Sequence, residues 1–147
     1  FIGCQAGMLA DGNSNTAVGY AAFNAATTAT HNNVAIGIDS LGAAGSGVAA
    51  TYNTAVGKSS GGGVTSGDYN ILLGADAGDN LTTGSGNIVI GTADTAAVDS
   101  ARTLKIVSYD GSSTTTHITG DGNDHVEVAV AWNPSLSTTG KAFVMGF

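Results

Sequence analysis

The chain has 147 residues; Gly and Ala supply 23 each, Thr 18, Ser 13 and Asn 11, while Ile, Leu, Val and Phe together number only 31. A domain of this length normally buries about two thirds of its unfolded surface around bulky side chains, so a compact core of large residues within one chain is excluded, and the chain is either disordered or held by repetition or by association with other chains. Four Lys and Arg against eleven Asp and Glu give a net charge of −7, which leaves no basic patch for phosphates and argues against nucleic acid as a partner.

The charged and amide residues also argue against helix. Ten of the eleven acids are Asp, Glu127 is the single Glu and Gln5 the single Gln, so the long-chain helix formers are nearly missing. Cys4 is alone and cannot close an intrachain disulfide. No run of 18 apolar residues and no basic leader occur, so neither membrane insertion nor a signal peptide is expected. The chain opens at Phe1, inside an unfinished repeat, and reads as a piece of a longer protein.

From the N-terminus the dominant feature is repetition. A word of Asn, three small or aliphatic residues and Gly occurs five times: Asn15 to Gly19 around Val18, Asn33 to Gly37 around Ile36, Asn53 to Gly57 around Val56, Asn70 to Gly74 around Leu73, and Asn87 to Gly91 around Ile90. Phe1-Ile2-Gly3 is the tail of a sixth copy, and the closing glycines are spaced by 16, 18, 20, 17 and 17 residues. Three residues after each of the first five glycines stands a small residue: Ala6, Ala22, Ser40, Ser60 and Ala77.

Short β-branched words bounded by Asn and Gly predict short strands between turns. Alternation puts the first and third residues of each word on one, mostly aliphatic, face and the smaller middle residue on the other. A unit of about 17 residues has room for two short strands and two turns, one coil of a solenoid. Asn and Gly are expected at the corners, the Asn side chains stacking as a ladder along the axis. The fifteen residues Asn15, Val18, Gly19, Asn33, Ile36, Gly37, Asn53, Val56, Gly57, Asn70, Leu73, Gly74, Asn87, Ile90 and Gly91 are thus predicted to form the repeat corners and core. Six thin coils would still expose a stripe, so several chains are expected to associate, burying the small-residue face.

These repeats resemble the NTAVGYxAL…TGxxNxAIG arrays of bacteriophage tail fibres, notably from phages of marine and cyanobacterial hosts. The match runs over Asn15 to Phe23, Asn33 to Leu41, Asn53 to Gly57 and Thr83 to Gly91, with weaker likeness in Leu104 to Gly111 and Ser137 to Phe147. The resemblance implies an elongated homotrimer located on the virion, outside the cell. Its partners would be other virion proteins and a host surface glycan or protein receptor. Asn33 to Gly37 also fits the head repeats of trimeric autotransporter adhesins, although those repeats are shorter and more regular.

Beyond Gly91 the repeat gives way, predicting residues 1–91 as β-repeat and 92–147 as a small β domain or connector. Leu104 to Tyr109, the turn Asp110-Gly111 and Thr114 to Thr119 read as a hairpin. His125 to Trp132 alternates as a further strand ended by Pro134, and Lys141 to Met145 offers a last one. Trp132, Phe143 and Phe147 would form the core of this unit, with sugar stacking by Trp132 as the other reading.

Chemistry-bearing residues are few. Gly120 to Asp124 resembles half of a calcium-binding repeat, but a tight turn explains it better. His125 and Glu127 share a strand face and could hold a metal on a threefold axis, against a plain surface role. His31 lies in a loop without a partner, and Asp76 and Asp79 lie in turn-like, Gly-rich sequence. Gly61-Gly62-Gly63 lacks the Lys-Ser/Thr of a phosphate loop. No catalytic set, metal or cofactor is expected. The sequence therefore predicts an all-β protein, a β-solenoid or triple-stranded β-helical trimeric fibre with a small C-terminal β domain, serving as a phage tail-fibre segment. A bacterial adhesin head and a polysaccharide-cleaving tailspike are its rivals.

Overall fold

The structure is a computed structural model, and it describes residues 1–25, 30–45, 50–123 and 125–128. It is an all-β solenoid of about five turns. Five three-residue strands, β1 (Thr16–Val18), β2 (Val34–Ile36), β3 (Thr54–Val56), β4 (Ile71–Leu73) and β5 (Ile88–Ile90), pair in parallel, each in register with the next. Ile2 begins the ladder with a parallel bridge to Val18, as the unfinished first repeat predicts. Among the described residues there is no helix, and none long and apolar enough to cross a membrane.

The expected second strand of each unit is not there. The wall opposite the strands is a stack of turns in which the second and fourth residues after each of the first five closing glycines take positive φ, as at Ala21 and Phe23 or Asp39 and Leu41. Those left-handed residues interrupt an extended run. The wall still bonds from coil to coil: Phe23 N–H donates to Ser40 O at 2.9 Å, Leu41 N–H to Ser60 O at 3.0 Å and Gly61 N–H to Ala77 O at 2.9 Å. Two serines tie this wall across to the strands. The buried Ser40 hydroxyl donates to Ala55 O at 3.1 Å, and that of Ser60 to Leu72 O at 2.8 Å.

Which strand face turns inward is also the reverse of the expectation. The middle residues Ala17, Ala35, Ala55, Leu72 and Val89 are fully buried in the chain's own core. Val18, Ile36, Val56, Leu73 and Ile90, predicted as core, point away from it. In the coils of Ala17 and Ala35 the opposite wall fills the lumen with Phe23 and Leu41, so the small strand residue goes inside. Consequently the small-residue face cannot serve as the contact between chains, because each chain already buries it.

Volume is matched coil by coil within the lumen. Ala17 and Ala35 share coils with Phe23 and Leu41, all buried. Where the strand supplies Leu72, the opposite wall supplies Gly78, and a Cβ there would stand 2.9 Å from Leu72 Cδ2. The coil of Ala55 and Gly61 is small on both sides and is filled from its neighbours. A Cβ on Gly61 would meet Leu72 Cδ1 at 2.7 Å and Leu41 Cδ2 at 3.0 Å. Core density of this kind leaves no room for an added methyl.

The array does not stop at Gly91. β6 (Leu104–Tyr109) pairs in parallel with β5, Ile88 opposite Leu104, and so continues the same sheet across the expected domain boundary. The sheet then changes direction. β7 (Thr114–Gly120) returns antiparallel to β6, as the Asp110-Gly111 turn predicts, and β8 (Val126–Val128) pairs antiparallel with β7. A bulge in the β6–β7 ladder sets His117 outside the pairing register, with Nε2 2.9 Å from Ser108 Oγ. Trp132, Pro134, Phe143, Phe147 and the strand expected at Lys141 to Met145 lie outside the described residues. So do residues 26–29 and 46–49.

Candidate functional site

The five repeat asparagines form one continuous hydrogen-bonded file. Asn33 N–H donates to Asn15 Oδ1, Asn53 N–H to Asn33 Oδ1, Asn70 N–H to Asn53 Oδ1 and Asn87 N–H to Asn70 Oδ1, each at 2.9 Å. Each side-chain Nδ2 donates onward to a loop carbonyl three residues before the next coil's ladder position. The acceptors are Thr30 for Asn15, Ala50 for Asn33, Gly67 for Asn53, Gly84 for Asn70 and Ser100 for Asn87. Asn33, Asn53, Asn70 and Asn87 are buried. An amide suits this place because it offers donors and an acceptor at once, and a buried polar group must be satisfied.

Thr103 takes the sixth position of the file. Its N–H and hydroxyl both donate to Asn87 Oδ1, at 3.1 and 2.7 Å. Sequence reading placed the asparagines but missed Thr103, since a hydroxyl can end an amide file but does not spell the repeat word.

The closing glycines stand at the other end of each strand, with positive φ at Gly19, Gly37, Gly57, Gly74 and Gly91. At Gly57 the reason is steric as well. φ is 135°, and a Cβ would lie 2.3 Å from Gly74 O. Bare backbone is what lets adjacent coils close up here.

The outward strand face presents an aliphatic stripe: Val18, Val34, Ile36, Val56, Ile71, Leu73, Ile88 and Ile90, with Ile36 39% and Ile71 41% exposed. Side chains of this type on successive coils make a patch on the order of several hundred Å², above what isolated surface residues produce.

The acidic and histidine residues form separate minor clusters. Asp79 shares a side-chain hydrogen bond with Asp94, and this bond, partial burial and the charges of Asp94 and Asp76 raise its pKa to about 6. Asp121 heads the β7–β8 turn: its Oδ1 accepts the N–H of Asn123 at 2.9 Å and of His125 at 3.4 Å, which holds its carboxyl below the usual range. This is the tight turn expected of Gly120 to Asp124, of which Asp124 lies outside the described residues. His125 and Glu127 line the same groove of about 350 Å³, together with Lys105 and Thr95. Lys105 Nζ donates to Asp94 O at 2.8 Å. His31 is not partnerless: its Nδ1 accepts Asn13 N–H at 2.8 Å. Among the described residues no three His, Cys, Asp or Glu side chains converge in a way that could hold a metal ion.

The site and fold define a β-solenoid repeat protein. The chain matches no protein-family model, no curated protein and no solved structure.

Proposed function

We propose that this chain is a structural segment of a trimeric phage tail fibre, giving length and stiffness to a device that reaches the host surface. The observation that carries the reading is the outward aliphatic stripe on an otherwise self-satisfied rod. The lumen is filled and the asparagine file is bonded, yet Ile36, Ile71, Ile88 and Ile90 remain in water. Three copies set with these faces toward a common axis would cover the stripe and leave the turn wall and loops outward. Stiffness would come from backbone ladders on both walls, which need no catalytic residue. The repeat words supply the phage assignment through their resemblance to tail-fibre arrays. An adhesin head on a bacterial surface would use the same association, and is the second reading because Asn33 to Gly37 fits its word.

Sedimentation equilibrium tests this. The segment should run at three times the 14.3 kDa chain mass. The double variant Ile36→Asp, Ile88→Asp should sediment as a monomer with its β circular dichroism intact, because both positions lie outside the chain's own core. A folded parent monomer would overturn the trimer.

A further inference from the structure

One column of residues stands just before the asparagine file and reads, coil by coil, Ser14, Asn32, Tyr52, Tyr69, Gly86 and Arg102. All six have positive φ, from 55° at Arg102 to 73° at Gly86. Gly and Asn suit that region, whereas a bulky aromatic there is an outlier that invites a functional explanation. Tyr52 and Tyr69 are nonetheless 51% and 62% exposed, and their rings stack at 4.8 Å with planes 4° apart.

The stack covers one face of Tyr69 only. On the next coil the column position is Gly86, which has no side chain to set against the other face. Beyond it Arg102 leans back: its Cγ lies 3.4 Å from the point a Gly86 Cβ would occupy. Coils rise by about 4.8 Å, so the Tyr69 and Arg102 backbones are separated by about 9.6 Å along the column, and the Arg102 side chain, leaning toward Gly86, bounds the far side of the slot. The slot is held by backbone. Tyr69 N–H donates to Thr51 O at 3.0 Å, Gly86 N–H to Asp68 O at 2.9 Å and Arg102 N–H to Ser85 O at 2.9 Å. Asp68 Oδ1 accepts both Thr51 N–H and Thr51 Oγ1–H, at 2.7 and 2.9 Å. An exposed aromatic face so fixed loses little freedom on binding.

We propose that the slot between Tyr69 and Arg102, floored by Gly86, binds one pyranose ring of a surface glycan. The ring's apolar face would lie on Tyr69, and the five N–H donors of Arg102 would take its hydroxyls or a carboxylate. A nucleobase is the other flat ligand, and the net charge of −7 disfavours its phosphates. The choice of a glycan rests on the attachment reading above; the slot itself does not depend on trimerisation.

Saturation-transfer NMR on the intact chain tests this, with methyl glucoside, methyl galactoside and methyl glucuronide as probes at about 20 mM, in the range where single-ring contacts are read. Transfer from tyrosine ring protons to at least one sugar is expected. Gly86→Tyr should fill the slot with a third stacked ring, since tyrosine already occupies this backbone conformation twice. It should keep the fold and weaken transfer about tenfold, the loss expected for one ring contact. Tyr69→Phe should retain binding. No transfer to any of the three sugars, or transfer undiminished in folded Gly86→Tyr, would overturn the proposal. A monomer that still takes sugar would count against the fibre alone, and a trimer that takes none against the slot alone.

Discussion

Asn70 donates twice to a single oxygen of Asn53, from its backbone N–H at 2.9 Å and from its side-chain Nδ2 at 3.0 Å. The same Nδ2 also donates to Gly84 O at 3.0 Å, and Asn70 Oδ1 receives Asn87 in turn. One buried amide thus satisfies three coils.

Replacing that amide should be costly. Asn70→Ala leaves the Gly84 carbonyl and the Asn87 donors without their partner inside the fold, and a destabilisation of about 3 kcal/mol is expected from the unmet groups. Asn70→Asp should be worse at neutral pH, because it turns a donor into an acceptor facing Gly84 O and buries a charge. Urea unfolding followed by circular dichroism reads both, and an Asn70→Ala change below about 1 kcal/mol would show that the file contributes little.

Gly57→Ala should open the coil contact. The added Cβ would meet Gly74 O at 2.3 Å on a backbone of φ 135°, so strain and clash together are expected to cost about 3 kcal/mol or more. Gly111→Ala is the control. Its φ is 96° but nothing lies within 4 Å of the new Cβ, so only the backbone penalty of about 1 kcal/mol is expected. Limited proteolysis should cut the first variant much faster than the second.

Thr30 offers a gain instead of a loss. Its hydroxyl is buried and has no hydrogen-bond partner among the described residues, while Ala50, Gly67 and Gly84 fill the same column on later coils. Thr30→Val keeps the shape and removes the orphan group, and should raise stability by about 1 kcal/mol, seen as a higher melting temperature.

Stability should also fall between acid and neutral pH at one identifiable pair. Asp79 has its pKa raised to about 6 by its hydrogen bond with Asp94 first, then by burial and nearby charge. In the unfolded chain it titrates near 3.8. The folded state therefore holds an extra proton between these values, and this contribution is present below about pH 4, is lost as pH rises through 6, and stays lost above. Asp79→Asn should raise the melting temperature at pH 8 more than at pH 4. Equal shifts at both values would refute the coupling with Asp94.

The sequence spoke clearly about corners and poorly about faces. Asn and Gly at fixed distances from each other are readable because few residues can do their work: an amide that bonds in two directions, and a backbone that tolerates φ above zero beside a neighbouring carbonyl. Alternation, by contrast, groups Val34 with Ile36 and leaves Ala35 apart, but it does not say which group turns inward. That was decided by lumen width, which depends on Phe23 and Leu41 arriving from the opposite wall. The opposite wall itself was hidden because left-handed residues such as Ala21, Asp39 and Ser59 carry no compositional mark of that conformation. The Tyr52–Tyr69 pair was equally silent, since its members lie 17 residues apart and become neighbours only when coils stack.

Thr103 closes a file that any number of asparagines could occupy. Nothing in the bonds between Asn53 and Asn70 differs in kind from those between Asn70 and Asn87, so the file itself sets no number of coils. Removing residues 58–74 would join Gly57 to Ala75 and allow Asn53 to bond Asn87 in the same way, with one coil fewer, shortening the rod by about 4.8 Å. Length is thus a countable property of this chain. Gain or loss of a repeat would lengthen or trim the rod in steps of one coil.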